Sequence, residues 1–478
     1  MEAFLGLLFA YQVFILYYFA LLNLLYAYFA LSGLAMVARY ARELSEVALK
    51  DLLEREAYLP VSILVPTYNE EKTIAASVGS FLALHYPEFE VIVVADGPKD
   101  RTLEVLKEAF RLVAVDWVYR RVLPSKPVRG VYRSLLYPNL LVVDKENGGK
   151  ADALNAGLNF ARYPLFCAVD ADSLLDAQAL LRASRLFLED DRVLAVGGTI
   201  RPLNGAVVRG GVVREMRLPR GFLEKMQVIE YARAFFMGRA GWSAMNALLI
   251  ISGAFGVFRR EEALRVGGYR TDTVGEDMEL VVRLHRRARE EGRAYRIFYT
   301  PDPICYTEVP ADWATLRKQR NRWHRGLWEV LWHHRAMLFN PRYGRLGLVA
   351  MPYFFLFEAL GPVVEVLGYA LLPVFWLLGL LNAQVAGLFL ALAVGYGVLL
   401  SHLAVGMETL LLKRYPRLRD RLWLLFLGFL EALGYRQLLA WERFLATFQV
   451  WRKRGVWGEM QRKGLEAPEG QSHQEPKA

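Results

Sequence analysis

From Phe4 to Val37 the chain carries almost nothing polar: Gln12, Asn23 and Ser32 are the only clearly polar side chains in the run. A helix needs roughly 20 apolar residues to cross a bilayer, and this stretch exceeds that. A secretory signal would place basic residues first, then a shorter apolar core and a small-residue cleavage site. Here Met1-Glu2 precedes the run and no such site is evident, so a retained membrane helix is expected over 1–40. The basic residues come afterwards, at Arg39, Arg42, Lys50 and Arg55. By the positive-inside rule the N-terminus is outside and the chain that follows is cytosolic, beginning with an amphipathic linker over 41–59.

The other end is apolar too. Leu346–Leu381 and Val385–Val405 read as membrane segments, with Gly361-Pro362 and Pro373 set to kink or divide the first. Glu358 and Glu365 lie inside it. Carboxylates at membrane depth face a polar cavity or a partner, and a place near the interface is the other reading. Before these segments, Asp312–Asn340 is rich in Trp and Arg, as at Trp313, Arg320, Arg322 and Trp323. Amphipathic helices at a membrane surface have this composition; a partner-binding helix is the rival. Leu422–Trp451 starts apolar but carries Glu431, Arg436, Glu442 and Arg443. Basic residues flank it on both sides, from Lys413, Arg414 and Arg417 to Arg452–Arg454, which predicts an interfacial or re-entrant pair. The resulting division is interfacial helices over 311–345, membrane and interfacial helices over 346–451, and a basic, then disordered tail over 452–478.

The net charge of +10 admits nucleic acid or an anionic membrane face as partner. The basic residues cluster beside the apolar helices, so the lipid bilayer is expected and nucleic acid is not. The two cysteines, Cys167 and Cys305, have no neighbours at metal-ligand spacing and read as buried and reduced.

Residues 60–310 have a different texture. Short β-rich runs recur at Val61–Val65, Val91–Ala95, Leu140–Val143, Phe166–Val169 and Val193–Val196. Helical patterns such as Glu70–Leu84 and Thr102–Val113 separate several of them, which predicts a parallel sheet with crossover helices. Arg120–Pro138, with three prolines, reads as a basic loop. Ligands on such sheets sit beyond the strand C-termini.

Four motifs there carry chemistry. Asp170-Ala171-Asp172 ends an apolar strand with carboxylates at alternate positions. Mg²⁺ or Mn²⁺ takes such oxygen ligands and shares its remaining shell with phosphates and water, although Asp-x-Asp is also common in turns. Asn147-Gly148-Gly149-Lys150 opens a helix, where backbone N–H groups and a lysine can hold phosphate; an ordinary helix start looks the same. Gly275-Glu276-Asp277-Met278-Glu279 puts acids at a helix N-terminus, either as caps or with one of them a general base. Gln319-Arg320-Asn321-Arg322-Trp323 sets Gln319 and Arg322 on one helix face beside a tryptophan. Such a set suits phosphate and a sugar ring, or simply anchors the helix at the interface.

Taken in order on one chain, these motifs resemble the processive family 2 glycosyltransferases, the synthases of cellulose, chitin, hyaluronan and poly-N-acetylglucosamine. The resemblance covers about Pro60 to Trp323 and the flanking membrane helices. It implies an α/β GT-A domain, Rossmann-like with a mostly parallel sheet, in the cytosol and combined with an α-helical transmembrane region. Pro66-Thr67-Tyr68-Asn69-Glu70 resembles the motif lining the nucleoside pocket, which gives Pro66, Tyr68 and Glu70 that role. Asp96 resembles the acid that contacts uracil, though Ala95 stands where many relatives have a second acid and Pro98 where serine is frequent. Lys150 resembles the lysine near the diphosphate. Asp170 and Asp172 resemble the metal motif. Asp277 resembles the catalytic base, in Gly-Glu-Asp where many relatives have Thr-Glu-Asp. Ser252-Gly253-Ala254 and Glu276 resemble acceptor-side residues. Gln319, Arg322 and Trp323 resemble the motif that closes over the diphosphate and binds the acceptor terminus. The Phe-x-Val-Thr-x-Lys gating motif of cellulose synthase is not present after the second apolar stretch.

The implied reaction is inverting transfer from a UDP-sugar to a growing β-linked polysaccharide or a glycolipid, with Mg²⁺ or Mn²⁺ as cofactor. The implied place is a bacterial-type inner membrane, crossed several times, with accessory envelope proteins as further partners. N-acetylglucosamine is the first expected sugar and glucose the next. The alternatives are non-processive transfer to a polyprenyl phosphate carrier and a non-enzymatic membrane receptor or scaffold. An inactive copy would be expected to lose Asp172, Asp277 or Trp323, and all are present.

Overall fold

The structure is a computed structural model, which describes residues 2–43, 58–209, 211–379, 383–411, 415 and 417–450. Most of the expected linker over 41–59, the basic residues Lys413 and Arg414, and the expected tail over 452–478 lie outside the described residues.

The strands are β1 (Val61–Thr67), β2 (Phe89–Asp96), β3 (Leu112–Ala114), β4 (Val128–Ser134), β5 (Leu140–Lys145), β6 (Leu165–Ala168), β7 (Leu174–Leu175), β8 (Val193–Pro202), β9 (Val207–Arg209), β10 (Val212–Glu215), β11 (Gly256–Arg259) and β12 (Arg296–Thr307). Ten of them form one sheet in the order β3-β4-β5-β2-β1-β6-β11-β8-β12-β7. β5, β2, β1 and β6 are parallel neighbours. β4, β7 and β11 run against the other seven strands. The central strands are buried on both faces, which explains why Val61–Val65 and Val91–Ala95 read as unbroken apolar runs rather than alternating ones. Each of the five β-rich runs expected from sequence lies on a strand.

Two local expectations need correction. The basic loop expected over Arg120–Pro138 contains β4, paired antiparallel with β5. Val131 and Ser134 are buried while Arg129 and Arg133 are exposed, so the strand shows no clean two-residue alternation, and its charges and the neighbouring prolines hid it. The helix expected over Glu70–Leu84 begins at Ile74. Asn69 takes a left-handed φ of 55°, and Glu70 accepts from Thr73 Oγ1 at 2.9 Å, so these residues form the turn before the helix.

Among the described residues four helices are long and apolar enough to cross a membrane: Phe9–Tyr40, Leu346–Leu377, Ala386–Thr409 and Leu418–Gln449. Many of their large apolar side chains point away from the protein, among them Tyr17, Leu24, Leu31 and Trp376, a surface that lipid rather than water suits. The first segment near the C-terminal end bends through π-helical turns at Leu346–Ala350 and Phe354–Ala359, ahead of Gly361-Pro362. The stretch read as an interfacial or re-entrant pair has two helical halves. They meet at Leu433–Gly434, where Gly434 adopts φ 110°, and together they reach spanning length.

The sheet domain is fastened to these helices at several points. Phe29 packs on Trp242 with ring centroids 4.4 Å apart. Tyr40 donates to Asp302 at 2.6 Å. Arg201, at the end of β8, pairs with Glu408 at 2.8 Å, and Arg233 pairs with Glu431 at 2.9 Å. Both pairs hold charges that would otherwise be buried alone at high cost.

Candidate active site

The carboxyl edge of the sheet gathers the motifs. β6 delivers Asp170 and Asp172, and β5 leads through Asn147-Gly148-Gly149 to Lys150, the first residue of the Lys150–Phe160 helix. The Glu276–Glu290 helix presents Glu276 and Asp277 from its first turn. The Trp313–His333 helix brings Gln319, Arg322 and Trp323; Asp312 caps it by accepting from Thr315 N at 2.9 Å. Lys150, Asp170, Asp172, Ser252, Gly253, Glu276, Asp277, Gln319, Arg322 and Trp323 line a single cavity of about 1130 Å³. It continues between the long apolar helices to Tyr18, Asn23, Glu358 and Glu365. Within it, Glu358 pairs with Arg443 at 2.9 Å and Glu365 accepts from Tyr369 Oη at 3.1 Å, so both acids line the cavity with polar partners.

Lys150 is the electrostatic centre of the sheet-side wall. Its Nζ donates to Asp170 and lies 3.7 Å from Glu276 Oε1. Burial lowers its pKa, but Asp170, Glu276 and Asp277 outweigh that and raise it, so the ammonium stays charged. The Ser252-Gly253-Ala254 loop passes close above: a Cβ at residue 253 would sit 2.8 Å from Lys150 Nζ and would push the ammonium aside. Gly253 N–H donates to Asp277 Oδ2 at 3.0 Å, and Met278 N–H donates to Oδ1 at 2.8 Å. Asp277 is thereby oriented by backbone on both oxygens. The third acid of the motif works elsewhere, since Glu279 is fully buried and pairs with Arg283 at 2.6 Å and His334 at 3.2 Å.

Glu276 is buried beside these charges. Burial chiefly raises its pKa to about 7, with Asp277 adding to the rise and Lys150 and Arg322 opposing it. The folded chain therefore holds this proton up to about 7, whereas the unfolded chain releases it near 4.5. Between those values the folded state binds more protons, so stability falls as pH rises through the window. Melting temperatures of the detergent-solubilised chain should show this fall, and Glu276→Gln should flatten it; an unchanged slope would remove Glu276 as its source.

Pro66, Tyr68, Glu70 and Asp96 stand at the ends of β1 and β2 and do not line the cavity. Asp96 instead organises the loop leading to Lys150. It accepts from Gly148 N at 3.0 Å and Gly149 N at 2.8 Å. Lys145, fully buried, donates to Asp96 and also meets Asp152 at 2.6 Å. Sequence reasoning missed Lys145; the signal was a lysine closing the apolar strand Leu-Leu-Val-Val-Asp-Lys. It also missed Glu230, which accepts from Arg320 at 2.8 Å and from Tyr435 Oη at 2.8 Å. The Arg320 guanidinium lies 4.2 Å over the ring of Trp323, itself 45% exposed to the cavity, so three elements converge to hold that ring.

Comparison with known proteins agrees with this arrangement. Residues 62–243 match the glycosyl transferase family 2 model, and residues 165–400 match that of glycosyl transferase family group 2. The poly-beta-1,6-N-acetyl-D-glucosamine synthase of Staphylococcus aureus (strain COL) is 30% identical over 272 residues, 57% of this chain and 55% of that protein. The synthase of the same name from Staphylococcus epidermidis gives the same figures. The match thus spans about half the length of these curated relatives. Among solved structures, the mannosyltransferase PcManGT from Pyrobaculum calidifontis, in complex with GDP-Man and Mn2+, aligns with a TM-score of 0.48 at 19% identity, over 86% of this chain and 99% of that one. S. aureus TarS 1–349 in complex with UDP-GlcNAc aligns at 0.39 and 15% identity, over 79% of this chain and 92% of that one. With family matches running from residue 62 to residue 400 over the same cavity-bearing sheet, this chain belongs to the family 2 glycosyltransferases, has the GT-A fold and is related to the poly-N-acetylglucosamine synthases.

Proposed function

We propose that this chain transfers a sugar from a UDP-sugar to the end of a growing β-linked polysaccharide, inverting the anomeric centre, and passes the product between its membrane helices. The observation that carries this reading is the continuity of the cavity. It runs from the charged wall at Lys150, Asp170 and Asp172, past Asp277 and Trp323, to Tyr18, Asn23 and Glu365 among helices long enough to span a bilayer. A path of that kind suits an acceptor that stays threaded while its end is extended.

Each residue has a part. Asp277, held by two backbone N–H groups, takes the proton from the acceptor hydroxyl. The hydroxyl oxygen attacks the anomeric carbon from the face opposite UDP, so one displacement inverts configuration. Lys150 and Arg322 face the departing diphosphate with positive charge. Trp323 offers a flat apolar face to the terminal ring of the acceptor. Asp96 shapes the Gly148-Gly149 turn at the nucleoside end, with Pro66, Tyr68 and Glu70 nearby on the neighbouring strand end.

Asp170 and Asp172 would hold the divalent cation. Among the described residues no group of three or more His, Cys, Asp or Glu could hold a metal alone. A pair of carboxylates on a cavity wall nevertheless fits Mg²⁺ or Mn²⁺, whose remaining ligands are diphosphate oxygens and water. The cation, when bound, offsets charge on the leaving diphosphate. The catalytic domain over 60–310 would lie on the cytosolic face of a bacterial-type inner membrane, with interfacial helices over 311–345.

Purified full-length chain, supplied with labelled UDP-sugars one at a time and Mg²⁺ or Mn²⁺, should release UDP and build long polymer from few initiations. UDP-N-acetylglucosamine is the first donor to try. A short product attached to polyprenyl phosphate would replace this reading with the carrier-lipid one. No UDP release with any donor would end it.

A further inference from the structure

Arg239 lines the sheet-proximal wall of the cavity and has no part in the proposed transfer. It closes the π-helical turn Ala234–Arg239, which interrupts the helix between Phe222–Arg233 and Ala240–Ala244. Its neighbours on the same wall are neutralised: Arg233 by Glu431 at 2.9 Å and Arg320 by Glu230 at 2.8 Å. No carboxylate among the described residues lies within ion-pair distance of Arg239, and its Nε is buried with no hydrogen-bond partner. What it rests on is the ring of Phe235, 3.9 Å from guanidinium carbon to ring centroid.

Such an arrangement is costly by itself. Arg239 is half-buried with its Nε shut off from water, and a buried polar group left unsatisfied calls for an explanation. Burial lowers the pKa of Arg239, with Tyr299, Asp277 and Tyr231 acting the other way, so the cost is felt here. Like Leu346–Ala350 and Phe354–Ala359, the backbone here is a π-helical turn, a form found often at functional sites. Here it sets Phe235 and Arg239 four residues apart, with the guanidinium carbon 3.9 Å from the ring centroid and Arg239 on the wall of the cavity shared with Asp277 and Trp323.

We propose that Arg239 is a binding residue for the acceptor saccharide, one that reads a planar oxygen-bearing substituent: the carbonyl of an N-acyl group or a carboxylate. A guanidinium is a fork of donors matched to such groups. An unsubstituted hexose ring offers only hydroxyls, which fit it less well. The inference rests on the reading of the cavity as an acceptor path, and it adds a preference among acceptors to that reading.

The test uses the full chain in lipid nanodiscs with three β-linked probes: N-acetylglucosamine oligomers, uronate-containing oligosaccharides and cello-oligosaccharides. Binding is measured without donor, and acceptor KM with donor, for the wild type, Arg239→Lys and Arg239→Met. The wild type should prefer one substituted probe over the cello-oligosaccharide, and the probe preferred tells acyl group from carboxylate. Arg239→Met should erase that preference by about tenfold, the value of one charged hydrogen bond. Donor KM should not move, and Arg239→Lys should restore part of the preference, which a general packing defect would not allow. Transfer by the wild type with the same probe ratio in Arg239→Met overturns the role of Arg239 alone. Neither binding nor transfer of any saccharide by the wild type overturns both this inference and the acceptor path beneath it.

Discussion

Asp277→Asn should lower kcat by about 10²–10⁴-fold, the span attributed to a positioned general base, while UDP binding stays within about twofold of wild type. Geometry sets this expectation. Asp277 contributes to no ion pair within 4.0 Å among the described residues, and both its oxygens accept from backbone, Gly253 N at 3.0 Å and Met278 N at 2.8 Å. An asparagine can keep one of those hydrogen bonds and nearly the same volume, so the site should fold. What it cannot do is accept a proton at the neutral pH of the assay. The diphosphate end of the cavity, built around Lys150 and the Asp170–Asp172 pair, is held by other contacts and should bind UDP as before. Calorimetric titration with UDP plus a labelled-sugar transfer assay separates the two effects. Turnover near wild type would remove Asp277 as base; lost UDP binding would make it a structural residue of the donor site instead.

How much of this could be read from residues alone depended on whether the determinant was local. β1, β2, β5, β6 and β8 were visible because buried parallel strands are continuous apolar runs, and Asp170 and Asp172 were visible because they end one. The Lys150 motif and the Gln319–Trp323 motif were visible as patterns, but each left an ordinary helix start or anchor equally open. What the patterns could not show is the tertiary arrangement, which brings Lys150 onto Asp170 and sets Trp323 on the wall of the same cavity. β4 was obscured because its exposed positions carry charges and its burial does not alternate cleanly, so neither strand signal stood out. Lys145 and Glu230 were missed because their meaning lies in partners 49 and 90 residues away. Arg239 was missed for the opposite reason, since its distinction is the lack of any such partner among the described residues.

Gly326→Val should reduce transfer by roughly 10²-fold without unfolding the chain, because it wedges apart the two helices that complete the site. Gly326 lies three residues beyond Trp323 on the Trp313–His333 helix, and Gly275 immediately precedes Glu276. The two backbones touch: a Cβ on Gly326 would lie 3.0 Å from both Cα and N of Gly275. The same contact accounts for glycine at 275, since a Cβ there would lie 3.1 Å from the Gly326 backbone. Glu329 extends the seam, accepting from Thr273 Oγ1 and Val274 N at 2.9 Å each. Valine at 326 therefore forces the loop or the helix to withdraw, at about 1–3 kcal/mol of overpacking. A withdrawal of about 1 Å moves Glu276 and Asp277 relative to Gln319, Arg322 and Trp323, and misplacement on that scale is enough for the expected loss. Gly275→Ala should act in the same direction but more weakly, because a methyl group needs only a few tenths of an ångström. Gly79→Ala, in the Ile74–Leu82 helix with nothing within 4 Å of the new methyl, should be neutral or slightly stabilising. Full activity in Gly326→Val, with Gly79→Ala also unchanged, would mean that this seam does not set the distance between base and acceptor platform.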